Sequence, residues 1–352
     1  MNLQQLICIF LYLCAAGVLF LTLLNRVLIL MRERWYKTSF IVLMFLLFCI
    51  GAMLAGCTLP LNPWALIPVL ILAGMLLGEV GRLRIRRRCA GSPPIDTIPH
   101  KINLRKPITT TDLVCHRYQI DLPRWSGSRL RIAHLSDLHV NDYLGAEYFH
   151  EVFSSVEEEN PDIVLYSGDF VANRKSLRLL KDVVRPMGRF GSYAVLGNHD
   201  YWSDEKEVGR ILIDNGLKLL VNESSSIDCL GGRIKLTGCD YPWGIGTNKI
   251  PASDAESLHL VLSHTPDNIY WMSEMTPDCV FSGHCHAGQA RIPVLGSIIV
   301  PSIYGRRFDH GHFVVNGTHL FVVSGVGAAN PPLRVFCQPD VFIVDICSCI
   351  RG

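Results

Sequence analysis

Residues 131–139 read RIAHLSDLH, a short apolar run that ends in a serine, an aspartate and a histidine. Four later runs end in a similar way: DIVLYS is followed by GD, SYAVL by GNHD, LHLVLS by H, and CVFSG by HCH. Short apolar runs bounded by glycine and polar residues are typical of buried strands. Because ligands in open α/β folds gather beyond the carboxyl ends of strands, these five run ends predict one shared site.

Helix-length segments separate these runs. Residues 147–160, EYFHEVFSSVEEEN, and residues 203–216, SDEKEVGRILIDNG, have apolar residues at helical spacing. Three further apolar runs, IKLTG, LFVVSG and FIVDI, extend the pattern toward the C-terminus. Short strands that alternate with amphipathic helices predict a layered α/β domain.

The polar residues at the run ends are the candidate site residues. They are Asp137, His139, Asp169, Asn198, His199, Asp200, His264, His284 and His286. Any one of them alone is more often a turn, a cap or a hydrogen-bonded side chain. Together in one cleft they would be costly to bury unless cations offset their charge. In extended chain, residues i and i+2 point the same way, so we expect His284 and His286 to face a common cation.

The set SDLH, GD, GNHD, a later H and GHCH resembles, in order and context, the calcineurin-like metallophosphoesterases. The resemblance covers about residues 128–346, and the tail is similar to a bacterial membrane-associated branch of phosphodiesterases. It implies a layered β-sandwich flanked by helices. Cys285 stands where threonine is common in the family, and Ala287 where glycine is common, but neither is a ligand position.

The family pattern implies a role for each candidate ligand. Asp137, His139 and His286 would bind a first metal ion, and Asn198, His264 and His284 a second. Asp169 would bridge the two ions. Nitrogen and oxygen ligands without a thiolate suit Mn²⁺, the ion we expect, and also Fe or Zn²⁺.

Four further residues are predicted to act on the substrate. His199 follows a ligand without matching a ligand position, and we expect it to protonate the leaving oxygen or to stabilise the phosphorane charge. Asp200 would orient that imidazole, with a simple N-cap as the alternative. Arg306 and Arg307 lie in a Gly-bounded basic segment and are expected to bind a substrate phosphate. The alternative for this pair is a solvated loop.

The N-terminal third is predicted to be a three-helix membrane anchor within residues 1–81. Its apolar runs cover about residues 6–24, 39–59 and 64–80. A basic juxtamembrane linker is predicted at 82–115, and the phosphoesterase domain at 116–352. Arginines lie after the first run and after the third, and basic flanks stay cytoplasmic. The sequence therefore predicts a multi-pass protein of the bacterial inner membrane with a cytoplasmic catalytic domain.

Two other interpretations of this region stay open. Met31 to Cys57 has a basic start, an apolar run and the residues LAGC, which together resemble a lipoprotein signal. The arginines at 82–88 could also form a nucleic-acid patch, although their position directly after a span favours anionic lipid heads. We therefore expect a membrane partner and no nucleic acid.

The cysteine content indicates the cellular compartment, and a missing motif limits the choice of substrate. The 13 cysteines show no CxxC pair, which favours reduced thiols in the cytoplasm. GDFVANR lacks the GD-x-VDRG pattern of serine/threonine phosphatases. The leading expectation is hydrolysis of a phosphodiester or pyrophosphate in a lipid-linked substrate such as UDP-2,3-diacylglucosamine, as in a chlamydial-type hydrolase of lipid A biosynthesis. The alternatives are a general phosphodiesterase, a nuclease, or a non-catalytic membrane scaffold.

Overall fold

A computed structural model describes residues 3–28, 36–58, 66–98, 106–244, 249–293 and 295–349. The chain divides into two compact units. The first contains Met1–Arg88 and Pro301–Arg307, and the second contains Cys89–Val300 and Phe308–Gly352. Within the described residues no disulfide links any cysteines.

The first unit is built on three helices, α1 (Leu3–Leu23), α2 (Lys37–Thr58) and α3 (Leu66–Cys89). Helices α1 and α2 pack on each other through the ring of Phe20, whose centroid lies 5.3 Å from that of Phe45 and 5.9 Å from that of Phe48. Gly56 of α2 lies so close to Ile9 of α1 that a Cβ there would overlap the backbone. A small residue at such a contact lets two apolar helices approach closely.

Two helices of this unit are long and apolar enough to cross a membrane, Leu3–Leu23 and Lys37–Cys57, each with a mean hydropathy of 2.7. The third predicted span, 64–80, begins outside the described residues and stays a prediction. Its described part belongs to α3, which continues through the arginines at 82–88. Residues 82–89 are therefore helical, although we had expected a linker there; arginine is a good helix former, so the charge does not end the helix.

The second unit contains fifteen strands among the described residues. They are β1 (Asp96–Ile98), β2 (Val114–Leu122), β3 (Leu130–Leu135), β4 (Ile163–Tyr166), β5 (Ser192–Ala194), β6 (Lys218–Leu219), β7 (Ser224–Cys229), β8 (Gly232–Cys239), β9 (Leu258–Ser263), β10 (Cys279–Ser282), β11 (Arg291–Ile292), β12 (Gly296–Ser297), β13 (Gly311–Val315), β14 (Thr318–Val322) and β15 (Asp340–Ser348). Five helices accompany them: α4 (Gly145–Glu158), α5 (Leu177–Val183), α6 (Asn198–Ser203), α7 (Glu205–Asp214) and α8 (Ile269–Ser273).

Two large sheets form the body of this unit. The seven-stranded sheet has the order β1-β2-β15-β3-β4-β5-β6, and the six-stranded sheet has the order β13-β14-β10-β9-β8-β7. Strands β3 to β6 run parallel to one another, as do β8, β9, β10 and β14. A short hairpin, β11-β12, stands apart from both sheets.

The two sheets share one apolar core, to which Leu165 and Phe342 contribute from the first sheet and Leu260 and Phe281 from the second. A second core lies between the seven-stranded sheet and helices α4, α5 and α7, with Phe149 fully buried in it. The predicted layered α/β sandwich flanked by helices is confirmed. Strands β3, β4, β5, β9 and β10 each end just before one of the polar motifs, so their carboxyl ends bring those motifs together.

Candidate dinuclear metal centre

The chain turns sharply after β3, β4 and β10. Asp137, His139, Asp169, His284 and His286 all have positive φ, between 41° and 65°. Such left-handed backbone is uncommon outside glycine and clusters at functional sites. The extended geometry expected for residues 284–286 is therefore wrong, and the two imidazoles face different groups of ligands instead of one common cation.

The first group consists of Asp137, His139 and His286. His286 Nε2 lies 3.2 Å from Asp137 Oδ1 and 3.1 Å from His139 Nε2. Each of the three side chains is at least nine-tenths buried. Ligand atoms bound to one ion at about 2.1 Å are separated by roughly 3.0–3.4 Å, and both distances of His286 lie in this range. The third pair, His139 Nε2 and Asp137 Oδ1, is 3.8 Å apart, so the group is slightly wider than an ion would hold it.

The second group consists of Asp169, His264 and His284, with Asn198 beside it. His264 Nε2 lies 3.1 Å from Asn198 Oδ1, and the ring centroids of His264 and His284 are 4.9 Å apart. His264 Nδ1 lies 2.7 Å from the carbonyl oxygen of Ser167, which can only accept a hydrogen bond. Nδ1 therefore carries a proton, and Nε2 is the ring nitrogen that is directed at the group.

Asp169 stands between the two groups. Its Oδ2 lies 3.4 Å from His139 Nε2 of the first group and 3.3 Å from His264 Nε2 of the second. Among the described residues this buried oxygen has no hydrogen-bond partner, and neither has Asp137 Oδ1. Buried carboxylate oxygens left without donors are costly, and a cation in each group would satisfy them.

The outer oxygens of both carboxylates are fixed by backbone amides. The amide of His284 donates to Asp137 Oδ2 at 2.9 Å, and the amide of His199 donates to Asp169 Oδ1 at 2.7 Å. Gly283 packs so tightly on Asp137 that a Cβ at this position would overlap the carboxylate. These contacts hold the inner oxygens toward the two groups, as hydrogen bonds to the outer atoms of metal ligands do in metal sites.

The protonation equilibria of the groups also favour a cation. Burial lowers the pKa of His264, but the carboxylates of Asp169 and Asp137 outweigh it and raise the pKa to about 9. Burial lowers the pKa of His284 to about 3, so this imidazole is neutral and can act as a ligand. Although burial alone would raise the pKa of Asp169, the imidazoles around it hold that pKa below its ordinary value. Without a metal ion, a protonated His264 is thus the counterion of the carboxylates.

The comparison with known protein families agrees with this arrangement. Residues 130–288, which carry all seven candidate ligands, match the family model described as calcineurin-like phosphoesterase. Residues 130–288 therefore form a calcineurin-like phosphoesterase domain. The chain is accordingly a hydrolase that uses divalent metal ions to cleave phosphoesters.

Relatives of this phosphoesterase occur in bacteria and in a vertebrate. The chain is 28% identical over 236 residues to phosphodiesterase YaeI of Escherichia coli (strain K12), covering 65% of this chain and 87% of the relative. It is 24% identical over 261 residues to the uncharacterized metallophosphoesterase YkuE of Bacillus subtilis (strain 168), covering 71% and 87%. A transmembrane protein with metallophosphoesterase domain from Danio rerio is 28% identical over 233 residues, covering 60% of this chain and 52% of the relative.

His199 of the phosphoesterase lies at the edge of the first group. Its ring centroid is 4.6 Å from that of His139 and 5.0 Å from that of Trp202. Its Nδ1 lies 3.3 Å from the carbonyl oxygen of Ala172. One nitrogen of this ring also lies within 4.8 Å of ligand atoms of His139 and Asp169. A role of His199 as a metal ligand is therefore an alternative to the predicted role as an acid.

The carboxylate of Asp200 is occupied by backbone amides. Oδ1 accepts hydrogen bonds from the amides of Phe170 and Val171, at 2.9 and 3.2 Å, and Oδ2 accepts one from Gly197 at 2.9 Å. These bonds cap the start of α6 and tie it to the loop after Asp169. The contacts thus support the capping alternative, and orientation of the His199 imidazole by Asp200 stays a prediction.

Arg306 and Arg307 belong to the first compact unit, together with the helices. Arg306 Nε lies 3.3 Å from Glu79 Oε1, and its carbonyl oxygen accepts a hydrogen bond from Arg86. The guanidinium of Arg307 lies over the ring of Tyr304, 5.3 Å from the centroid. The predicted binding of a substrate phosphate by these arginines stays a prediction.

One residue at the centre, Arg334, was missed by the sequence analysis. Arg334 is fully buried, donates to the carbonyl oxygens of Ser324, Gly325 and Gly327, and places Nη2 3.5 Å from His286 Nδ1. Trp243 lies with its ring centroid 5.3 Å from that of His264 and 5.0 Å from that of His284. Arg334 comes from a loop without a polar motif, so no local pattern pointed to it, whereas Trp243 is one of the aromatic residues beside the motifs that the sequence offers as contacts for an acyl chain.

Proposed function

We propose that this chain is a membrane-anchored dinuclear phosphoesterase that hydrolyses a phosphodiester or pyrophosphate bond of a lipid-linked substrate. The observation that carries the dinuclear site is Asp169 Oδ2, which lies 3.4 and 3.3 Å from imidazole nitrogens of two separate ligand groups. A carboxylate oxygen between two ligand groups is suited to bridge two ions. Asp137, His139 and His286 would hold one ion, and Asn198, His264 and His284 the other.

The bound ions and the side chains would contribute to different parts of the hydrolysis reaction. Two divalent ions, when bound, supply Lewis-acid stabilisation of the phosphoryl oxygens and activation of the attacking water. His199 would deliver a proton to the leaving oxygen from its exposed side, with Nδ1 held by the carbonyl of Ala172. Burial lowers the pKa of His286, and the positive charge of Arg334 adds to this effect, so His286 is in the neutral form that can act as a ligand.

The lipid-linked substrate is supported by the helices and by aromatic rings near the site. Helices α1 and α2 are apolar enough to hold the enzyme in a membrane, which raises the effective concentration of a membrane substrate. Trp202 and Trp243 are partly exposed beside the candidate ligands and could contact an acyl chain or a base. Phe308, in contrast, is buried against Tyr270 and Phe313 and is a core residue.

The proposal places residues 1–81 in the bacterial inner membrane and the catalytic domain, 116–352, in the cytoplasm. UDP-2,3-diacylglucosamine is the leading substrate, since its pyrophosphate lies between a nucleoside and a lipid sugar. Mn²⁺ is the proposed ion, because mixed imidazole, amide and carboxylate ligands suit it. A scaffold without catalysis is disfavoured, because all seven ligand positions carry usable side chains.

A general phosphodiesterase is the second candidate function. It is favoured by the similarity to a relative that is itself named a phosphodiesterase. Such an enzyme would accept a water-soluble diester as readily as a lipid, and its helices would only determine where it acts.

The test is the purified full chain in detergent with Mn²⁺, offered UDP-2,3-diacylglucosamine and the same UDP-sugar without acyl chains. We expect cleavage of the diacylated sugar to be at least about tenfold more efficient, because one acyl chain in an apolar site contributes well over 1 kcal/mol. Equal cleavage of both would contradict the lipid claim. Cleavage of neither, with bis-p-nitrophenyl phosphate still hydrolysed, would leave the general phosphodiesterase.

A further inference from the structure

Outside the dinuclear centre, three more side chains bring ligand atoms together. His116 lies in β2, His310 directly precedes β13, and Asp340 begins β15. One nitrogen of each imidazole and one carboxylate oxygen lie within 4.8 Å of one another. His310 Nε2 is 2.5 Å from Asp340 Oδ2, and His116 Nε2 is 3.7 Å from the same oxygen.

The outer atoms of two of these side chains are held by other residues. Thr97 Oγ1 lies 3.0 Å from His116 Nδ1, and the amide of Ser324 donates to Asp340 Oδ1 at 2.7 Å. The ring of Phe342 touches both imidazoles edge-on, with centroid distances of 5.6 Å to His116 and 5.7 Å to His310. Partners on the outer atoms fix which atoms face inward, as hydrogen bonds to the outer atoms of metal ligands do.

The cluster is open to solvent on one side. The side chain of Asp340 is 3% exposed, whereas those of His116 and His310 are 18% and 26% exposed. Two imidazoles and a carboxylate with room for water make up a ligand set used for Zn²⁺ and Fe²⁺. We infer that His116, His310 and Asp340 form a third, mononuclear divalent-metal site.

The charge of the cluster supports a cation there. Two imidazole nitrogens face one carboxylate oxygen, and that of His116, at 3.7 Å, lies too far from it for a hydrogen bond. An ion between the three atoms would replace the short contact of His310 with Asp340 and would bind His116 as well.

The position of the site indicates that the ion would have a structural role. The amide of Asp340 donates to the carbonyl oxygen of Gly325 at 3.2 Å, and Gly325 packs against the Cβ of Asp137. An ion bound by Asp340 and His116 would thus link β15 to β2. Asp340 is also hydrogen-bonded to the loop of Gly325, which packs against Asp137, a ligand of the first group. This third ion would stabilise the fold and would not contact the substrate.

The experiment counts metal ions on the full chain in detergent. The protein is stripped with a chelator, loaded with Zn²⁺, dialysed, and measured by elemental analysis. We expect three equivalents per chain in the wild type, two in His116→Ala and His310→Ala, and three in His150→Ala, which removes an exposed imidazole of α4. Thr97→Val keeps the three ligands and should weaken the third equivalent by about 10–100-fold.

Saturation of the wild type at two equivalents would overturn the inference and leave a hydrogen-bonded His–Asp pair. Persistence of the third equivalent in both histidine variants would also overturn it, because the ion would then lie elsewhere. If the histidine variants fail to fold, the wild-type count and the affinity of the Thr97→Val protein decide the question.

Discussion

Asp169 combines three properties that rarely occur in one carboxylate: full burial, a left-handed backbone, and an oxygen between two groups of imidazoles. Asp169→Asn keeps the shape and removes the charge that two ions would share. We expect hydrolysis of bis-p-nitrophenyl phosphate to fall below detection and metal affinity to fall by about 100-fold or more. The matched control is Asp228→Asn, an exposed aspartate paired with Arg233, which should keep both activity and metal. Normal metal content and activity in Asp169→Asn would contradict the bridging role.

A variant of His199 can distinguish catalysis from metal binding. The ring of His199 lies beside the first group, whereas its backbone amide donates a hydrogen bond to Asp169. His199→Ala keeps that amide. We expect turnover to fall by about 10²–10⁴-fold, the usual effect of losing a general acid, with metal content unchanged. Elemental analysis and steady-state kinetics on the same sample make the test, with His150→Ala as the control. Loss of metal together with activity would instead make His199 a ligand.

Asp240 is a buried carboxylate that accepts a hydrogen bond from Tyr201 at 2.6 Å. Burial raises its pKa from 3.8 to about 6, so the folded chain binds this proton more tightly than the unfolded chain. The stability from this group is therefore complete below pH 3.8 and is lost as the pH rises through about 6.

The variant Asp240→Asn removes the charge and keeps an acceptor for Tyr201. At pH 8 we expect the metal-free variant to be more stable than the wild type by up to roughly 3 kcal/mol, and near pH 3.5 the difference should vanish. Thermal unfolding of both proteins in chelator at the two pH values measures this. A less stable variant at pH 8 would mean that the carboxylate is stabilised by contacts beyond Tyr201.

At the scale of elements, the loop after β14 supports the centre through close packing. Gly325 has φ +85° and a Cβ there would lie 2.5 Å from the Cβ of Asp137. Gly317 has the same φ of +85°, and nothing lies within 4 Å of its Cβ position. Gly317→Ala should therefore cost about 1–2 kcal/mol from backbone strain alone and keep the metal.

Gly325→Ala carries the same strain and in addition displaces Asp137. We expect a clearly larger loss of thermal stability than in Gly317→Ala, together with the loss of about one metal equivalent per chain. Equal stability and equal metal content in the two variants would show that the loop can move away from Asp137 without consequence.

The elements differ in how far the sequence predicts them. Strands such as β3 and β10 are short apolar runs bounded by glycine or polar residues, and they were found because burial on both faces demands that pattern. The backbone beyond them was not predicted, because Asp137 and His284 adopt a conformation that residue type does not signal. Arg334 reaches the site through a contact with His286, 48 residues away in sequence, and a local sequence pattern cannot predict such a contact.

At the scale of the whole molecule, the number of membrane spans determines on which side of the membrane the catalytic unit lies. Helices α1 and α2 are both apolar enough to span. Arginines follow α1, and further arginines form the C-terminal part of α3. Both basic segments lie on the same side only if α3 also crosses. The positive-inside rule therefore favours three spans and a cytoplasmic catalytic unit.

Fusions to a reporter that is active only in the periplasm test this arrangement. We expect a silent reporter after Arg34, an active one between Leu59 and Pro63, and a silent one after Arg88. The first two fusions give the same result with two or three spans and so act as internal controls, while the third decides between them. Activity after Arg88 would place the catalytic unit outside the cytoplasm, where cytoplasmic UDP-2,3-diacylglucosamine could not reach it. That result would also revive a lipoprotein signal ending at Cys57, whose side chain is exposed, and the mass of a lipid on that cysteine would then be the direct measurement.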